Sequence, residues 1–139
     1  MASATFEIEI ATPDRLLIRE HVSEAQIPGE GGMLGILPEH APLISTLGSG
    51  ELSYVAGGVR RFMAISGGYV EVLPGGVRVL ADRAEFGDEI DLKRAETALN
   101  RANERLIHPT PGLDTARALN AMKRAQARLE AARHAGHRK

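Results

Sequence analysis

Arginines at helical intervals are the groups in this 139-residue chain best suited to chemistry. Arg117, Arg124 and Arg128 are separated by seven and four residues, which places them on one face of a helix. Arg94 follows Asp91 within a single helical turn. Guanidinium forks fit phosphate oxygens, and an antiparallel helix pair would converge Arg94 with Arg124 and Arg128 on one anion. The same spacing also suits a solvated face with interhelical ion pairs, so spacing alone leaves both readings open. Catalytic chemistry is poorly supported. His40 lies in the turn Pro38-Glu39-His40-Ala41-Pro42, where the neighbouring carboxylate points the other way if the backbone is extended. His134 and His137 fall in a closing basic stretch expected to fray, with no metal site expected there. Cysteine is absent, which excludes disulfides, thiolate zinc sites and cysteine nucleophiles. No glycine run precedes a Lys-Ser or Lys-Thr pair, so there is no phosphate loop. No catalytic residue and no metal ligand is assigned.

The elements that must position these arginines change character near residue 88. Of the 15 glycines, 13 lie at or before Gly87, among short apolar and polar alternations; beyond it Ala, Arg, Leu and Glu recur at helical spacing. Phe6, Ile8 and Ile10 alternate with Glu7 and Glu9 as in a half-buried strand. Further strands are expected over Leu16–Ile18, Val22–Ile27, Met33–Leu37 and Pro42–Leu47, with Gly29-Glu30-Gly31-Gly32 as a mobile loop. Two glycine turns, Ala56-Gly57-Gly58 and Pro74-Gly75-Gly76, each separate a pair of apolar runs and predict hairpins. Regular short strands with such turns indicate an antiparallel sandwich or barrel over residues 1–87, its core filled by Val, Ile and Leu because aromatics are few.

Residues 88–139 predict two helices. Leu92, Ala95, Leu99, Ala102 and Leu106 form one stripe, capped by Asp91; Pro109-Thr110-Pro111-Gly112 ends it. Leu119, Met122, Ala125, Leu129 and Ala132 form the second stripe. A shift of 23 residues superposes the helices on each other, with matches that include Asp91/Asp114, Arg94/Arg117, Arg101/Arg124 and Arg105/Arg128. That pattern predicts an αα-hairpin of like helices. Stripes this rich in alanine bury little, so the hairpin needs the β body or a partner to dock on.

Charge follows the same division. The net charge of -1 conceals -7 over residues 1–89, +1 over 90–112 and +5 over 113–139. An acidic body with a basic arm suggests an acidic partner for the arm. Nucleic acid is not expected, since the body would repel it and no aromatic platform accompanies the basic helix. No stretch approaches a membrane span and no leader is expected, so membrane association would be indirect.

Four stretches in order resemble the epsilon subunit of the rotary proton-translocating ATP synthase: Gly35-Ile36-Leu37-Pro38-Glu39-His40-Ala41-Pro42-Leu43, Ser66-Gly67-Gly68-Tyr69-Val70-Glu71-Val72, Val79-Leu80-Ala81-Asp82 and Ile90-Asp91-Leu92-Lys93-Arg94-Ala95. The resemblance covers nearly the whole chain. It implies a ten-stranded β-sandwich followed by a two-helix hairpin, in a non-catalytic central-stalk subunit that couples proton flow to ATP synthesis. It implies a gamma subunit and a c-subunit ring as partners of the sandwich, on the cytoplasmic face of a bacterial inner membrane. By this resemblance Gly29, Glu30, Gly31, Gly32, Met33 and Leu34 would face the ring, and the turn with Pro38, His40 and Pro42 would lie near gamma. The helices would reach the alpha and beta subunits and inhibit ATP hydrolysis. No cofactor is obligatory, but ATP is implied as a possible regulatory ligand held by Asp82, Asp91, Arg94, Ala95, Arg124 and Arg128. In the family pattern a Glu stands where Asp82 is placed, and Gly87 with a neighbour reads as an insertion before Ile90. Two readings of other classes are a free-standing ATP-sensing module and a small enzyme with its site on the β loops.

Overall fold

A computed structural model describes residues 4–136; His137 lies outside the described residues. Eight strands come first: β1 (Phe6–Ala11), β2 (Leu16–Val22), β3 (Glu24–Gly29), β4 (Gly32–Ile36), β5 (Leu43–Thr46), β6 (Ser49–Ala56), β7 (Val59–Leu73) and β8 (Gly76–Phe86). A 3-10 turn at Gly87–Glu89 leads to α1 (Leu92–Ile107) and α2 (Thr115–Gly136). The strands hydrogen-bond in the order β2-β1-β8-β7-β6-β3-β4, with β5 also on β7.

The ten strands implied by resemblance and the eight observed are reconciled by one bend. The two expected hairpins share one long strand: β7 runs unbroken through Ser66-Gly67-Gly68, and β8 runs alongside it. Before the bend β7 pairs with β6; after it, the same edge pairs with β5. Each long strand therefore serves both layers and counts twice. Gly67 and Gly68 have φ of 72° and 100°, and a Cβ on Gly68 would stand 2.0 Å from the Leu80 carbonyl oxygen. Only glycine fits a left-handed backbone so close to the next strand. The sandwich is antiparallel throughout except for β1 and β8, which run parallel.

Alternation along the strands sends Ile8, Ile10, Ile27, Leu52, Met63, Ile65, Val70 and Val79 into one core, each at most 1 % exposed. The expected mobile loop at Gly29–Gly32 is instead a two-residue turn between β3 and β4. Glu30 ties it to β5, donating its amide to the Thr46 carbonyl (3.0 Å) and accepting the Thr46 hydroxyl (2.7 Å).

Both helices begin as their sequences require. The Asp91 carboxylate accepts the Arg94 amide at 3.1 Å, and the Asp114 carboxylate accepts the Arg117 amide at 3.0 Å. The burial of α2 departs from a single stripe. Ala125, Leu129 and Ala132 of the expected stripe are buried, but so are Ala118, Ala127 and Ala131, while Leu119 is 38 % exposed. α2 has two covered faces because it lies between α1 and the β6–β7 surface. A second buried cluster joins Ala64 of β7 and Ile90 to Ala95, Ala127, Leu129, Ala131 and Ala132. Gly87 permits this contact: a Cβ there would stand 2.3 Å from the Ala131 carbonyl oxygen. It reads as an insertion in sequence; in space it is where the backbone of α2 meets the end of the sandwich.

Candidate functional site: an arginine cleft under the hairpin

Helices packed through alanine leave room beside them. A cleft of about 360 Å3 opens between the hairpin and the outer face of β7 and β8. Arg101 and Arg105 of α1, Arg124 and Arg128 of α2 and Arg83 of β8 line it, opposed by the single carboxylate of Glu85. The four helical arginines are the pairs Arg101/Arg124 and Arg105/Arg128 of the 23-residue repeat. Hairpin geometry turns an echo in sequence into a facing constellation: positions alike in the two helices meet across one space. The floor is small, with Ala98, Ala102, Ala121 and Ala125 between the guanidinium groups.

Glu85 occupies one of these cations. Arg128 donates to both of its oxygens, Nε to Oε1 at 2.7 Å and an Nη to Oε2 at 3.2 Å. This two-point pair binds α2 to β8 and leaves four guanidinium groups facing the cleft against no further lining carboxylate. Such excess positive charge on a concave surface suits a multiply charged anion.

Only part of the implied nucleotide set is gathered here. Arg124 and Arg128 line the cleft; Asp82, Asp91, Arg94 and Ala95 do not. Asp82 lies three residues from Glu85 on β8, so strand alternation turns it the other way, and its carboxylate sits against Gly67. The carboxylate that the sandwich brings to the cleft is Glu85. Asp91 is committed to its cap, and Ala95 is fully buried in the helix–sandwich cluster. Arg94 is exposed one turn before Ala98 on the same side of α1, beyond the lining of the cleft. Sequence reading missed Arg83, Glu85, Arg101 and Arg105 as site residues. The repeat already paired Arg101 and Arg105 with Arg124 and Arg128; nothing in sequence linked them to Glu85.

The other two regions named from sequence lie on the sandwich. In the β3–β4 hairpin, Met33 is 57 % exposed while Leu34 packs on the core. His40 and Pro42 line a second groove of about 310 Å3 with Leu37, Glu39 and Leu73. Pro38 is not part of its wall. Glu39 takes a φ of 66°, and the His40 amide closes the turn on the Leu37 carbonyl at 3.2 Å. His40 Nδ1 donates to the Ala41 carbonyl at 2.7 Å, so its ring serves the turn.

The same division into sandwich and hairpin appears in comparison with known proteins. Residues 5–87 match the family described as ATP synthase, Delta/Epsilon chain, beta-sandwich domain. Residues 88–133 match ATP synthase, Delta/Epsilon chain, long alpha-helix domain. The chain belongs to the ATP synthase delta/epsilon family. It is 51 % identical over 128 residues to the ATP synthase epsilon chain of Solibacter usitatus, covering 92 % of this chain and 96 % of that one. It is 46 % identical over 132 residues to the epsilon chain of Syntrophomonas wolfei, covering 94 % and 96 %. Among solved structures, a chain of the Euglena gracilis mitochondrial ATP synthase (OSCP/F1/c-ring) aligns with a TM-score of 0.80 at 26 % identity, over 93 % of this chain and 81 % of that one. A chain of the Tetrahymena thermophila central stalk and c-ring shares the fold, with a TM-score of 0.55 at 16 % identity over 97 % and 98 %. As an epsilon-type chain it pairs a sandwich with a hairpin, and the arginine cleft lies at their junction. No helix among the described residues is long and apolar enough to cross a membrane.

Proposed function

We propose that this chain is a non-catalytic rotor subunit of a proton-translocating ATP synthase, with a docking sandwich and a regulatory hairpin. The whole-length match to epsilon chains carries the reading. The sandwich supplies the rigid part: the β3–β4 turn presents Met33 toward a c-subunit ring, and the groove at His40 and Pro42 borders the gamma contact. Membrane association is then indirect, on the face where the catalytic head stands. The basic hairpin is the movable part, reaching acidic surfaces of the alpha and beta subunits when it leaves the sandwich and restraining ATP hydrolysis there.

In the docked state the cleft is proposed to hold the phosphates of ATP as a regulatory ligand. Arg83, Arg101, Arg105 and Arg124 are the open cations, and Arg94 lies one turn further along for the remainder of the molecule. Arg128 is shared with Glu85. Such a ligand bridges α1, α2 and β8 and holds the hairpin down.

Two measurements test the halves separately. A chain ending before Asp91 should still copurify with gamma and the c-ring and should relieve inhibition of ATP hydrolysis in the assembled complex. Failure to bind gamma would overturn the division of labour. Calorimetric titration of the full chain with ATP should show binding that weakens about 10- to 100-fold in Arg124→Ala, the range for one charge-assisted contact. No heat of binding in the unmodified chain would remove the nucleotide and leave the rotor assignment standing.

A further inference from the structure

Two residue types make up the whole helical side of the arginine cleft. Every lining position contributed by α1 and α2 is alanine or arginine. The sandwich adds Ala64, Ile65 and Ser66 of β7 and Arg83 and Glu85 of β8. Among the described residues, the wall therefore holds five guanidinium groups but no aromatic ring and no side-chain amide.

One nucleobase is told from another by hydrogen bonds to its edge, and an apolar wall rejects a near-isostere only weakly. Groups able to read such an edge are scarce here. All lining residues sit inside a helix or a strand, where backbone N–H and C=O groups are mostly paired already. The Glu85 carboxylate takes Arg128 on both oxygens. The Ser66 hydroxyl shares a hydrogen bond with the Ser49 hydroxyl at 2.8 Å. Guanidinium groups only donate, so they cannot complement the donor groups of a base. Arg94, beyond the lining, is exposed, and a guanidinium can lie on the face of any base without reading it.

What the wall does match is a chain of phosphates. Its guanidinium forks each fit a pair of phosphate oxygens, and four of them face the cleft without a lining carboxylate to neutralise them. Arg101/Arg124 and Arg105/Arg128 hold equivalent places in two like helices, so the cations recur around the space in pairs. A linear polyphosphate has two like ends for such pairs; a nucleotide has unlike ends. We propose that the cleft recognises the polyphosphate chain alone and is indifferent to the nucleoside, so that inorganic triphosphate binds on the same guanidinium groups as ATP or GTP. This rests on the reading of the cleft as a phosphate site and narrows what that site recognises.

Calorimetric titration of the full chain with inorganic triphosphate, ATP, GTP and AMP, all at one salt concentration, tests this. Inorganic triphosphate and GTP should bind within about fivefold of ATP, the range that one exposed cation–π contact allows. AMP, with two phosphates fewer, should bind at least about tenfold more weakly than ATP. Arg124→Ala should weaken inorganic triphosphate and ATP alike, by about 10- to 100-fold. ATP held more than about tenfold tighter than GTP or inorganic triphosphate would overturn the inference and leave the nucleotide reading standing. Inorganic triphosphate bound without ATP would support the inference and remove the nucleotide. No heat from either would remove both. An affinity for inorganic triphosphate untouched by Arg124→Ala would put the anion outside the cleft and overturn the inference as well.

Discussion

The sandwich and the hairpin are buried by different means. The sandwich core is built mostly from Val, Ile, Leu, Met and aromatic side chains of three to eight heavy atoms, contributed by both layers and sealed from water. Each fully buried Leu, Ile or Val contributes roughly 1.5–3 kcal/mol. The junction with the hairpin is nearly all alanine, with Leu129 and Ile90 the large side chains buried there. A methyl group covers little surface, so the junction depends on how closely the backbones approach, on one ion pair at Arg128–Glu85 and on one polar contact at His134–Glu51. A body held by volume stays folded when its surface changes. An arm held by close approach and a few polar contacts can be released by a small chemical change, which is what a regulatory element requires.

Replacing Leu52 by Ala should separate the two regions most strongly. It empties a site that is 0 % exposed, and the cost should be about 3 kcal/mol in urea unfolding. A loss below about 1 kcal/mol would mean the sandwich is as loosely packed as the junction. Gly87→Ala should act on the junction alone. The new methyl meets backbone 2.3 Å away, and displacing α2 should cost about 1–3 kcal/mol. Hydrogen exchange should then show α2 deprotected while β7 and β8 keep their protection; loss across both would erase the distinction.

Asp91→Ala removes the cap from α1 and should cost about 1 kcal/mol, seen as lower helicity with unchanged sandwich stability. Glu85→Gln breaks the two-point pair with a half-exposed Arg128 and should weaken docking by about 0.5 kcal/mol. It frees a guanidinium in the cleft, so affinity for inorganic triphosphate should rise; a fall would mean Glu85 orients Arg128 for the anion.

The smallest effect concerns acid. The Glu9 carboxyl is held below its usual value of 4.5, chiefly by the hydrogen bond from Arg19 and also by the charges of Arg19 and Arg78, against an opposing desolvation. Its contribution is complete above the unfolded value and is lost as pH falls through the lowered native one. Glu9→Gln should therefore reduce stability slightly near neutrality and flatten its decline in acid below about pH 4.5. An unchanged acid limb would show the pair to be inert.

Much of this was legible in order along the chain. Alternation at Phe6–Ile10 and the glycine turns at 57–58 and 75–76 mark strands because side-chain direction and positive φ are local properties. The caps at Asp91 and Asp114 are local too, each reaching an amide three residues away. The continuity of β7 was hidden, since Ser66-Gly67-Gly68 reads as a break when it is a bend. The resemblance pointed to Asp82 and nothing local pointed to Glu85, because a motif cannot tell which side of a strand faces a helix that arrives about 40 residues later. His134 was read as part of a fraying end, and its partner Glu51 comes from β6.

The sequence alone determined the two building materials, their boundary near residue 88, the opposite charges of body and arm, and the repeated helix with its matched arginines. These follow from composition and from periods of two and 3.6 residues, which any segment carries by itself. Tertiary structure decided which face of the arm is covered, that Gly87 is a contact, that Arg101, Arg105, Arg124 and Arg128 share one cleft with Glu85, and that His134 meets Glu51. Those facts depend on where one element lies on another, and for weakly apolar helices that placement is set by close approach and pairing across the fold.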